Sequence, residues 1–157
     1  MDAGDREALD HFVRIRKATI RLLEQIPDDW LARNADGEDM PLGWLFMHIA
    51  RTPDWWMAYC MRDGNGWRFP EGRIFDKNTV RDALFTSIPR VLAFFERSGE
   101  DRMGKVFELV PEKQEGAGHW SGRDRVLNFT DHEVHHRGKI VLSLRRWGMS
   151  DFPDLFS

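Results

Sequence analysis

An all-α fold, a four-helix bundle, is the architecture that this chain of 157 residues predicts. Four segments place apolar residues at the helical period, and no segment keeps a two-residue alternation beyond a few positions. The breaks between the four fall at Pro, Gly and Asp clusters, where helices stop. With 41% hydrophobic residues, seven Trp and eleven Phe, the chain has enough apolar volume for one core, and its length fits a single domain over 1–157.

The first helix is expected from about Arg6 to Ile26. Leu9, Phe12, Val13, Arg16, Ile20, Leu23 and Ile26 lie near one stripe, and Pro27 with two Asp residues ends it. The second starts at Pro41, a residue suited to a first helical turn, and runs to about Arg62 before Asp63-Gly64-Asn65-Gly66. Pro53 lies inside it. It has no N–H for the Ile49 carbonyl and should kink the helix just after His48.

The third helix is expected over about Thr79–Arg97, with Asn78 as N-cap, Pro89 as an internal kink and Ser98-Gly99 as the stop. Lys105–Val110 reads as a short extended piece before Pro111. The fourth helix spans about Gly122–Trp147. Ser121 and Asp124 form a capping box with Asp in the usual Glu position, and Gly148 follows the last turn as a stop. The bundle therefore has long connections after its second and third helices.

Several function classes drop out on composition. The 23 basic and 26 acidic residues nearly cancel, with no basic concentration of the kind that binds nucleic acid. One cysteine, Cys60, excludes an internal disulfide and a CxxC site, and it reads as packed rather than reactive. The N-terminus has no apolar signal region and no window is apolar for long enough to span a bilayer, so a soluble, cytoplasmic protein is expected.

The densest chemistry lies in Asp131-His132-Glu133-Val134-His135-His136-Arg137-Gly138-Lys139. On a helix, His132 and His136 stand one above the other, the spacing at which two ring nitrogens can close on one ion. His135 lies about 60° from His132, on the side away from the apolar stripe. His48 of the second helix falls on an apolar face with Trp44, Leu45, Thr52, Trp55 and Tyr59. Taken alone, His48 reads as a hydrogen-bonded core histidine, and the pair reads equally well as solvated. Three inward imidazoles on two helices are satisfied together by a metal.

His132, Glu133 and His136 also spell HExxH, the helix motif of zinc proteases. Proteases of that kind take a further ligand downstream, yet Arg137–Ser157 contains neither Glu nor His. The third ligand must come from upstream. Glu133 is read either as a general base or as half of an intrahelical pair with Arg137. Trp44, Trp55, Trp56 and Tyr59 either line an apolar mouth or fill the core. His11 and His119 read as surface histidines.

Leu42-Gly43-Trp44-Leu45-Phe46-Met47-His48-Ile49-Ala50, followed by His132 to His136 with Arg137-Gly138, resembles the DinB superfamily, as does the ending Leu144-Arg145-Arg146-Trp147-Gly148-Met149. Lys139 departs from the Gln usual there. The resemblance implies a four-helix bundle, often a homodimer, with a divalent metal on His48, His132 and His136. Relatives include transferases of low-molecular-weight thiols such as bacillithiol or mycothiol, and hydrolases or isomerases of small molecules. The expectation is a metal-dependent hydrolase or thiol transferase acting on a small molecule, with Glu133 as base and Zn or Ni ahead of Fe, Co or Cu. The alternative is a non-catalytic metal- or ligand-binding stress-response protein.

Overall fold

The computed structural model describes residues 1–35, 37, 39–60, 72–97, 100–107 and 120–155. Its helices are α1 (Ala3–Gln25), α2 (Leu42–Trp55), α3 (Lys77–Phe95) and α4 (Gly122–Arg146). A short antiparallel pair joins β1 (Val106–Phe107) to β2 (Trp120–Ser121), with Val106 opposite Ser121 and Phe107 opposite Trp120. The all-α bundle is therefore as expected.

Differences from the sequence reading sit mostly at helix ends. α1 starts earlier, because Asp2 and Asp5 form a reciprocal capping box that leaves fewer orphan N–H groups. Asp76 rather than Asn78 caps α3: its carboxylate accepts from the Thr79 N–H at 2.9 Å and the Thr79 hydroxyl at 2.6 Å. Asp28–Ala32, read as a stop, forms one 3₁₀ helix. The Ser121–Asp124 capping box is present as expected. At the other end of α4, Gly148 has φ +98°, and the N–H groups of Gly148 and Met149 return to the carbonyls of Arg145 and Leu144. This is a Schellman motif, in which glycine bears the left-handed residue without a Cβ clash.

Pro53 has two visible consequences. α2 gives way to a π-helical segment over Trp56–Cys60, so the expected α-helix does not continue through it, and residues 61–71 lie outside those described. The Ile49 carbonyl that the proline cannot serve accepts instead from the Arg16 guanidinium, Nη2 to O at 3.2 Å. β1 matches the start of the extended piece expected over Lys105–Val110, whose end lies outside the described residues. Its pairing seats the start of α4 against the 102–105 turn, with the Gly122 N–H donating to Lys105 O at 3.0 Å. A side chain at Gly122 would overlap the Arg102 carbonyl, so this approach admits only glycine.

α1 and α2 each pack against both α3 and α4, which puts α1 and α2 on one diagonal of the bundle. Two apolar clusters fill it. One gathers Leu23, Leu45, Ile49, Leu84, Ile140 and Leu144; the other gathers Phe12, Trp56, Val91, Phe95, Val126 and Phe129. Between them every helix turns a buried polar residue inward: Arg16 from α1, Thr52 from α2, Ser87 from α3, and Glu133 with Arg137 from α4. Burial of such groups is tolerable only if they find one another, so this belt concentrates the polar chemistry of the core at mid-height.

Candidate metal centre

His48 and His132 face each other across the α2–α4 contact at the level of the belt. The Nε2 atoms of His48 and His132 lie 3.2 Å apart, and those of His136 and His132 lie 3.1 Å apart. One ring nitrogen from each of the three histidines falls within 4.8 Å of the others, and all three residues are half-buried. No other cluster of this kind occurs among the described residues. Nitrogens held about 2.0–2.1 Å from a tetrahedral ion stand about 3.3 Å apart, so the spacing fits a divalent cation.

Hydrogen bonding alone accounts poorly for this arrangement. A neutral ring nitrogen either donates one proton or offers one lone pair, so His132 Nε2 can make one good hydrogen bond while facing two neighbours. A cation accepts all three lone pairs at once. The surroundings set up the tautomers this needs. The Thr52 hydroxyl donates to the His48 carbonyl at 2.8 Å, and its oxygen stands 3.5 Å from His132 Nδ1, which favours the proton there and leaves Nε2 bare. The His48 ring lies flat against Trp44, with centroids 5.1 Å apart and an interplanar angle of 9°. Stacking orients this ring, whose Nδ1 is buried without a hydrogen-bond partner.

Burial pushes the His48 imidazole down to about 3, and the charges of His132, His136 and Arg51 act in the same direction. His132 is lowered as well, by burial first and then by the charge of His135. Both rings are thus neutral near pH 7, the form in which imidazole binds metal. In the unfolded chain His48 titrates near 6.5, so between about 6.5 and 3 the unfolded state binds a proton that the folded state refuses. The His48 contribution to stability is full above pH 6.5 and falls as the pH drops through that window. Metal-free protein should therefore lose melting temperature from pH 6.5 to 4.5 more steeply than a His48→Phe variant does; equal slopes would contradict this.

Glu133 is 1% exposed and its carboxylate is held by Arg16, Nε to Oε2 at 2.9 Å. The ion pair expected along α4 with Arg137 is thus made across the bundle to α1. Arg137 anchors α4 differently, donating from Nη1 to the Ile15 carbonyl at 3.1 Å. His135 is exposed, as its place on the helix implied. His11 stands apart from the cluster, 3.5 Å from Arg14 Nη2, while His119 lies outside the described residues. Of the four aromatic residues considered for a mouth, Trp44 touches a histidine, Trp55 is 42% exposed, and Trp56 is buried in an apolar cluster with Arg125 over its ring. The side chains of Tyr59 and Cys60 are outside those described.

Arg16 and Ser87 were not singled out from the sequence. For Arg16 a signal was present: a charged residue between Phe12 and Ile20 on an otherwise apolar stripe. Ser87 carried none, because serine is compatible with either face of a helix.

The family profile of the DinB superfamily matches residues 11–140. The uncharacterized protein YjoA of Bacillus subtilis (strain 168) is 22% identical over 147 residues, covering 94% of this chain and 93% of that protein. The crystal structure of that DinB-like protein superposes with a TM-score of 0.71 at 19% identity, over 96% of this chain and 99% of the other. A DinB-like protein from Bacillus cereus ATCC 10987 gives a TM-score of 0.66 at 17% identity, over 93% of each chain. Among the described residues no helix is long and apolar enough to cross a membrane. With a matching profile over most of its length, a four-helix bundle and three histidines gathered from α2 and α4, this chain belongs to the DinB superfamily.

Proposed function

We propose that the protein is a metal-dependent enzyme that holds one divalent cation on His48, His132 and His136 and acts on a small molecule, as a hydrolase or a low-molecular-weight-thiol transferase. The observation that carries this reading is the convergence of the His48 and His136 Nε2 atoms on that of His132, at 3.2 and 3.1 Å. The bound ion supplies Lewis acidity, which brings the pKa of a water or thiol toward neutrality. Zn or Ni are the first candidates on the donor set, since three imidazoles suit either.

The chain's own residues do the remaining work. Trp44 and Thr52 orient His48 and His132, and burial keeps the imidazoles in their basic form. All three histidines are half-buried rather than fully enclosed, which supports turnover over a closed structural site. Glu133, sequestered by Arg16, we assign to holding the bundle at the centre rather than to taking a proton.

The test is a panel of low-molecular-weight thiols with electrophilic acceptors, and of small esters and amides, run with metal-loaded and chelated protein. Metal-dependent consumption of one substrate pair, lost in His132→Ala, is the expected result. Full metal occupancy without turnover across the panel would replace this reading with a non-catalytic metal-binding one.

A further inference from the structure

Arg16 is 0% exposed, yet its guanidinium reaches three other helices. Nε donates to Glu133 of α4 at 2.9 Å, Nη1 to the Ser87 hydroxyl of α3 at 2.7 Å, and Nη2 to the Ile49 carbonyl of α2 at 3.2 Å. Two of these partners directly follow histidines of the cluster: Ile49 follows His48, and Glu133 follows His132. The Ile49 carbonyl is open to this contact because Pro53 cannot donate to it. We propose that Arg16 is a positioning residue for the three-histidine centre, tying α2 and α4 to one rigid fork so that His48 stays in register with His132 and His136. This rests on the metal-binding reading above.

The physical case is one of leverage. His48 comes from one helix and the other two histidines from a second, so a slide or rotation of α2 against α4 directly changes the 3.2 Å separation of the His48 and His132 Nε2 atoms. The fork sits one residue from the ligand on each helix, where it restrains such motion best. Arginine is suited to this because its planar donors diverge in fixed directions; a lysine keeps the charge but offers a single point donor on a flexible stem. The Ser87 contact is different, since α3 carries none of the three histidines.

The test is a Co(II) titration followed by visible absorption, which reads affinity and coordination geometry apart from activity. Arg16→Lys should weaken Co(II) binding by about 10–100-fold, the usual cost of losing a group that orients ligands, and should alter the absorption bands. Ser87→Ala, which breaks the fork's link to a helix without ligands, should leave affinity within about twofold and the spectrum as in the wild type. The apolar pair Arg16→Met with Glu133→Leu removes both charges of the ion pair together and serves if Arg16→Lys does not fold; it should be stable yet bind Co(II) weakly. Wild-type affinity and spectrum in a folded Arg16 variant, or an equal loss in Ser87→Ala, would overturn the positioning role while the metal site stands. Failure of the wild type to bind Co(II), or undiminished binding by His48→Ala, would instead overturn the metal-binding reading and the positioning role with it.

Discussion

His48→Ala abolishes stoichiometric metal binding, whereas His135→Ala leaves it intact. The expectation follows from geometry: His48 is the one member of the cluster supplied by α2, and its Nε2 stands 3.2 Å from that of His132, while His135 is exposed and outside the cluster. Two imidazoles on one helix remain in the variant, a much weaker chelate than three. Metal analysis of protein purified under metal-replete conditions reads this directly. A ligand bound only to the folded state stabilises it by about 4 kcal/mol at a free concentration a thousand times its Kd. For a chain of this size that corresponds to a fall in melting temperature on the order of 10 °C upon chelation. The wild type and His135→Ala should show the fall, and His48→Ala should not. One equivalent of metal retained by His48→Ala would remove the three-histidine site from consideration.

Glu133→Ala destabilises the fold by about 3–5 kcal/mol, because it leaves the Arg16 guanidinium buried without its counter-charge. The carboxylate and the guanidinium are 1% and 0% exposed, so neither can turn to water for compensation. The contacts of Arg16 to Ser87 and Ile49 remain, but neither carries charge. Replacing both charges, by Arg16→Met with Glu133→Leu, should restore stability to near the wild type or beyond, since a pair this buried has had to offset its own desolvation. Urea unfolding of the two single variants and the double variant measures the coupling. A loss under about 1 kcal/mol in Glu133→Ala would mean that the belt is wetter than its burial implies.

Two adjacent residues of α4, His132 and Glu133, do different work. His132 turns toward α2 and meets another imidazole; Glu133, about 100° further round the helix, turns toward α1 and meets Arg16. In the sequence both belong to one HExxH string, and the string alone assigned neither partner. A bond between Arg16 and Glu133 spans 117 positions of the chain, and local periodicity carries no information at that range.

The sequence by itself determined the class of the fold, because the four apolar stripes and their stops are local properties that burial only completes. It also placed the end of α4 at Gly148, the capping box at Ser121, the freed carbonyl of Ile49, and the three histidines as a group. Those followed from spacing, from the missing N–H of proline, and from the family resemblance. Only the tertiary structure decided which carboxylate meets which cation, what donates to the Ile49 carbonyl, and that Trp44 rather than Trp56 stacks on His48. The reason is physical: a helical stripe says which side of a residue is buried, whereas the partner of a buried polar group is fixed by the packing of helices distant in the chain. Here that packing closes on Arg16, on the diagonal between α1 and α2, whose partners Ile49 and Glu133 each directly follow one of the three histidines.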